Sequence, residues 1–181
     1  MAERPKELPD LPQRLDHAIL DPLLTKEQLL EMCDAGRQEA VRAICTTLPQ
    51  LTLLRDRLGR SDDGPRLIAV IGFPFGAVPA ELKHAEAEWA AAHGAQELDV
   101  VPDFHSLANN DANRFSEELA GLCGLGLPVR VVLDMARLTE EQLGLAVEAS
   151  IDAGASGLQT SNGFGPACHP DQVQQLKALC R

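Results

Sequence analysis

The chain has 181 residues, of which 45% are hydrophobic and 24% charged, a balance that fits one globular domain with a sizeable core and excludes a disulfide-stapled peptide, a fibre or a disordered segment. Twenty-seven acidic side chains against sixteen basic ones leave a formal charge of -11, a field that repels phosphate backbones and anionic lipid heads, so neither a nucleic acid nor a membrane is expected as a partner. No apolar run approaches the roughly 20 residues of a membrane span, residues 1–10 carry no signal-peptide core, and the five cysteines are odd in number with no C-x-x-C pair; a cytoplasmic protein with separate, reduced thiols is expected.

After a polar tail over residues 1–13, short apolar runs alternate with longer amphipathic ones. The short runs are Leu15 to Leu20, Val41 to Cys45, Leu67 to Phe73, Glu97 to Val101, Val129 to Met135 and Gly157 to Ser161. Their Val, Ile and Leu content predicts buried parallel strands. Between them, Thr25-Lys26-Glu27-Gln28 and Thr139-Glu140-Glu141-Gln142 fit the capping box that opens a helix, and Gly36 and Gly154 stand where those helices should close. A third helix is predicted from about Pro79 to His93, with Leu82, Ala85, Trp89 and Ala92 on one face and Gly94 as its stop. Further helices are expected from Leu48 to Leu58, from Asn113 to Cys123 and from Pro170 to Leu179. Residues 14–181 thus read as a single α/β unit of repeating βα pairs.

An internal repeat sharpens the fold. His93 to Asp99 aligns with Ala153 to Gln159, each a helix stop, a short loop and a strand. In a (β/α)8 barrel the side chains of one interior layer come from alternate strands, so Asp99 and Gln159, on the fourth and sixth predicted strands, should share a layer near the carboxyl ends, where such barrels do chemistry. A doubly wound open sheet is the competing architecture, but neither G-x-G-x-x-G nor G-x-x-x-x-G-K-[ST] occurs. Polar residues gather at the predicted strand ends: Asp16, His17, Cys45, Thr46, Asp99, Arg130, Asp134, Gln159 and Thr160 to Gly163.

Leu15-Asp16-His17-Ala18-Ile19-Leu20, Val70-Ile71-Gly72-Phe73-Pro74-Phe75-Gly76, Glu97-Leu98-Asp99-Val100-Val101, Val129 to Leu138 and Gly157 to Phe164, in this order and spacing, resemble the deoxyribose-phosphate aldolases, class I aldolases built on a TIM-type (β/α)8 barrel. The resemblance implies retro-aldol cleavage of 2-deoxyribose 5-phosphate to glyceraldehyde 3-phosphate and acetaldehyde in deoxyribonucleoside catabolism. The route is a lysine Schiff base whose protonated imine serves as electron sink, with no metal or other cofactor. It implies a proton-relay role for Asp99 and a further acidic site group in Asp16. It also places Cys45, Asp134, Thr160, Ser161 and Gly163 on the substrate side, Asp134 standing where the family has glutamate.

Two departures stand out against that resemblance. Gln159 occupies the position of the imine-forming lysine, and a carboxamide nitrogen is no amine nucleophile. Arg130 occupies that of an auxiliary lysine, keeping the charge without a titrating amine. The four lysines, Lys6, Lys26, Lys83 and Lys177, fall in the tail or on predicted helices. The family's seventh and eighth strands, with another lysine and a phosphate loop, have no counterpart before Arg181. An incomplete barrel of about six βα units is therefore expected, with open edges closed by self-association or by a separately encoded remainder. Weak or absent lyase activity is the first expectation for the chain alone. A catalytically silent sugar-phosphate-binding or regulatory relative is the second, and a Mg²⁺ or Mn²⁺ site of Asp16, Asp99 and Asp134 is the third.

Overall fold

The computed structural model describes residues 10–59 and 64–180. Six strands form: β1 (Asp16–Ile19), β2 (Ala43–Thr46), β3 (Arg66–Ile71), β4 (Glu97–Val100), β5 (Val129–Val132) and β6 (Gly157–Gln159). They make one sheet in the order β1-β2-β3-β4-β5-β6, each pair parallel. A doubly wound sheet reverses its strand order at a switch point; this one never does, and it curls as a partial (β/α) barrel.

The helices are α1 (Lys26–Gln38), α2 (Leu48–Leu58), α3 (Ala80–Ala92), α4 (Phe104–Ala108), α5 (Ala112–Cys123), α6 (Glu140–Asp152) and α7 (Pro170–Leu179). Both predicted capping boxes are made: the Gln28 amide N–H donates to Thr25 Oγ1 at 3.3 Å while Gln28 Oε1 accepts from the Thr25 N–H at 2.8 Å, and Thr139 and Gln142 repeat the exchange at 3.2 and 3.0 Å. None of the described helices is long and apolar enough to cross a membrane.

Three local readings need correction. Gly36 lies inside α1 and does not end it: a Cβ there would stand 3.2 Å from Ile44 Cδ1, so this glycine lets the helix approach β2, and the turn falls at Ala40 with φ 52°. The predicted face of α3 points outward, with Leu82 58% and Trp89 39% exposed, whereas Lys83, Ala87 and Ala90 are fully buried. The strand predicted to reach Met135 stops at Val132, because Asp134 adopts φ 36° and ψ 46° and opens a 3₁₀ turn over Met135–Arg137. Of the sequence-defined tail, residues 1–9 lie outside the described residues, while Pro12 is tied down by its carbonyl, which accepts from the Arg42 N–H at 3.0 Å.

Strand alternation divides the core in two. Ile44, Leu67, Ala69, Ile71, Leu98, Val100 and Val131 face outward into the helices, meeting Leu51, Leu54, Phe115, Leu119 and Leu143. Ala43, Cys45, Ile68 and Val70 face the barrel interior in a smaller apolar group. Polar side chains on the same face, Asp16, Asp99, Arg130 and Gln159 among them, build the site beside these apolar ones.

Candidate active site

In an eight-stranded barrel of shear 8, stepping around a layer advances about one residue per strand relative to the hydrogen-bonded register. Here Cys45 pairs with Ile68, Ile68 with Glu97, Asp99 with Arg130 and Arg130 with Gly157. Advancing two residues for every two strands puts Cys45, Asp99 and Gln159 in one layer, and Asp16, Ile68 and Arg130 in the layer beneath. The register therefore joins residues of β1, β2, β4, β5 and β6 in two adjacent interior layers, the upper one towards the carboxyl ends of its strands.

The side chains of these layers touch. Arg130 donates to Asp99 through two parallel bonds, Nε to Oδ1 at 2.9 Å and Nη2 to Oδ2 at 2.6 Å, and from Nη1 to Asp16 Oδ2 at 2.6 Å. The Cys45 thiol faces Asp99 Oδ2 at 3.6 Å. Burial pushes the Asp99 carboxyl above its ordinary range, against the hydrogen bonds and charge of Arg130. Asp16 is also desolvated, yet the hydrogen bonds of Arg42 and Arg130 outweigh this and hold its carboxyl below the ordinary value. Burial, followed by the charge of Asp99, pushes the Cys45 thiol well up, so it stays protonated.

A cavity of about 590 Å³ opens above these groups, walled by Asp16, Cys45, Asp99, Arg130, Gln159, Ser161 and Gly163 together with apolar Ala18, Leu20, Val70, Phe73, Val132 and Phe164. The Gln159 amide donates from Nε2 to the Ser161 carbonyl at 2.8 Å. Asn162, whose role the sequence reading did not single out, ties the rim together: Nδ2 donates to the Pro74 carbonyl at 2.8 Å, and Oδ1 accepts from the Phe164 N–H at 2.9 Å and the Gly165 N–H at 3.2 Å. Phe164 in turn packs edge-on against Phe73 and Phe75, with ring centroids 5.6 and 6.0 Å apart.

Of the strand-end polar residues, His17 and Thr46 do not line this cavity, Thr46 Oγ1 donating instead to the Ile19 carbonyl at 3.2 Å, and two residues given a site role by the resemblance also stand apart from it. Thr160 contributes its carbonyl to the Met135 N–H at 2.9 Å and is not among the cavity walls. Asp134 is buried beside a neighbouring cleft of about 400 Å³ with Phe75, Phe104, Arg137 and Gln142. Its Oδ2 accepts from Arg137 Nη1 at 3.3 Å, while Oδ1 is buried without a partner. The three-aspartate metal reading is corrected by this placement: Asp16 and Asp99 are saturated by arginine, Asp134 lies in another cleft, and no group of ligating side chains that could hold an ion occurs among the described residues. Lys6 is outside the described residues, Lys26 and Lys177 are exposed on helices, and Lys83 is buried against Glu118. No described lysine lines the cavity.

No family model matches the chain. Its sequence is 33% identical over 160 residues to the deoxyribose-phosphate aldolase of Thermococcus gammatolerans, a match covering 86% of this chain and 71% of that one. The chain belongs to the deoxyribose-phosphate aldolase family. The Thermosynechococcus vestitus deoxyribose-phosphate aldolase is 34% identical over 176 residues, covering 97% of this chain and 80% of the relative. Among solved structures, a tetrameric deoxyribose phosphate aldolase from Aeropyrum pernix superposes with a TM-score of 0.82 at 30% identity, over 94% of this chain and 73% of that one. The aldolase QR15 gives 0.88 at 28% identity, over 94% and 76%. Deoxyribose-phosphate aldolases thus share both the sequence and the fold of the described barrel.

Proposed function

We propose that the interior cavity is a deoxyribose-phosphate aldolase-type site for a small phosphorylated sugar, 2-deoxyribose 5-phosphate by family, and that this chain alone lacks the Schiff-base step. The observation that carries the reading is Gln159 on the cavity wall, in one layer with Asp99. Carbon–carbon cleavage needs an electron sink, and an imine requires an amine with an available lone pair. The Gln159 nitrogen is delocalised into its carbonyl, and the guanidinium of Arg130 has no lone pair to offer. The remaining groups suit binding and proton handling. Asp99, raised by burial, can hold or accept a proton at a ligand hydroxyl or carbonyl. Ser161 and Gly163 also line the cavity, and Gly163 stands where the family resemblance places a backbone contact to phosphate.

Acetaldehyde release from 2-deoxyribose 5-phosphate, with borohydride added in parallel and the protein mass read afterwards, tests the reading. The expected result is negligible turnover and no covalent adduct, with ligand-induced shifts in the amide spectrum of β6 and its following loop. A trapped adduct on a lysine, or an amide spectrum that the sugar phosphate leaves unchanged, would overturn it.

A further inference from the structure

The interior charges continue below the groups that line the cavity. Arg42, one residue ahead of β2, grips Asp16 with two bonds, Nε to Oδ1 and Nη2 to Oδ2, both 2.7 Å. Its Nη1 also donates to both oxygens of Glu97 at 3.0 Å. One side chain therefore reaches from β1 to β4 across the curled sheet. Arg66 holds Glu97 from the other side at 2.8 Å. Three arginines and three carboxylates alternate as Arg66, Glu97, Arg42, Asp16, Arg130 and Asp99, and their formal charges cancel.

We propose that Arg42 is a positioning residue for the cavity: by occupying both oxygens of Asp16, it keeps the fork of Arg130 docked on Asp99. Arg130 stands between two carboxylates at equal closest distance, 2.6 Å to Asp16 and 2.6 Å to Asp99. Asp16 leaves the two-bond geometry to Asp99 because Arg42 already supplies it with one. With Arg42 removed, Asp16 becomes a largely desolvated anion with a single cation, and it draws the Arg130 fork towards itself. Asp99 is the more buried of the two, with 5% of its side chain exposed against 16% for Asp16, so it is the carboxyl that takes up a proton when one guanidinium must serve both. The other neighbours cannot compensate. Cys45 on β2 is a protonated thiol, and Glu97, two residues before Asp99 on β4, adds negative charge.

The assignment rests on the aldolase-type reading only for the use made of the Asp99 proton; the geometry stands by itself. A purely structural ion pair would change stability and leave Asp99 alone. The test is a pH titration of the whole chain carrying ¹³C-carboxyl-labelled aspartate, with Asp99 assigned by the signal lost in Asp99→Asn. In Arg42→Gln the Asp99 midpoint should rise by about one pH unit, a tenfold change in proton affinity, and the Arg130 Nε–H resonance should move with it. Arg42→Lys, which restores one donor and the charge, should recover part of the shift. Should Arg42→Gln fail to fold, Arg42→Lys still decides: its expected midpoint lies above that of the native chain. An Asp99 midpoint unchanged in the folded variants overturns the proposal. Sugar-phosphate binding is measured on the same samples. Its loss in the native chain would remove the aldolase-type reading, whereas an immobile Asp99 beside intact binding would remove only the role of Arg42.

Discussion

A lysine placed at 159 would enter a cavity whose fixed charges already cancel. Arg130, the cation on the cavity wall, is neutralised by Asp99 and Asp16, so it gives a neighbouring ammonium no net positive field to lower its pKa from about 10.4. Gln159→Lys should therefore show almost no borohydride-trapped adduct with acetaldehyde near pH 7, and trapping should grow through about pH 9–10 as the amine deprotonates. Efficient trapping at neutral pH would show that the guanidinium field is not compensated. Acid titration of the fold reads the same groups through stability. Asp16 is held below its ordinary value of 3.8, so its contribution is complete above that pH and is lost as pH falls below it. Asp99 is raised from 3.8, so its ionised form costs stability as pH climbs past that value. In urea unfolding across the acid range, Asp16→Asn should flatten the loss of stability below about pH 4, and Asp99→Asn should flatten the opposing trend above about pH 4.

The polar strand-end residues were legible because charged side chains inside Val- and Ile-rich runs have few structural uses. Arg42 was not, although it fell inside the predicted run Val41 to Cys45, because it stands near the amino end of that run, away from the strand ends where chemistry is expected; only the curl of the sheet brings it beneath both Asp16 and Glu97. Gly76 shows the same limit. It ends a visible G-F-P-F-G run, but the reason is remote: at φ +69° a Cβ would lie 2.0 Å from the Pro102 carbonyl oxygen. Gly76→Ala should lower stability by about 1–3 kcal/mol in urea titration, through backbone strain in the left-handed region.

Between elements, a fully buried ion pair joins Lys83 on α3 to Glu118 on α5. Lys83 Nζ donates to both Glu118 oxygens, at 2.9 and 3.0 Å, and Glu118 Oε1 also accepts the Asp103 N–H at 2.9 Å, fixing the loop after β4. The lysine stem lies against Gly72 at the end of β3. Removing one partner leaves a buried charge unmatched, so Glu118→Leu should destabilise the fold by about 3–5 kcal/mol in denaturant titration, and Lys83→Met combined with Glu118→Leu should recover much of it. This arrangement explains why the inner face of α3 was misread. Periodicity picks out the large apolar residues Leu82 and Trp89, but the helix sits close to the sheet, where alanines fit, and it buries a lysine because a carboxylate awaits it. Helix α4 was missed for a simpler reason: five residues are too few for a period, and its start is marked only by Asp103, whose side chain accepts from the His105 N–H at 3.0 Å.

For the whole molecule, the strand order was readable because each short apolar run is followed by a longer helical one, and right-handed crossovers lay successive strands side by side. The edges carry the main consequence. Strand β6 has no buried residue and β1 has one, against four in β2 and five in β3. Among the described residues β1 and β6 each pair on one side alone, leaving rows of backbone donors and acceptors that invite further pairing. Sedimentation should accordingly give a mass above the 19.5 kDa of one chain; a stable monomer over the micromolar range would count against association through these edges.

Because every strand pairs with the one made just before it, each step of assembly closes only a single helix-bearing loop, and no earlier pairing must open to admit a later one. Contacts of this kind favour growth by successive addition over simultaneous collapse. Its mirror image is unravelling from the ends. Amide exchange should begin in β6 and α7 and reach β2, β3 and β4 only with global opening, so the half of the site carried by Gln159 and Ser161 lives on a shorter clock than the half carried by Cys45 and Asp99.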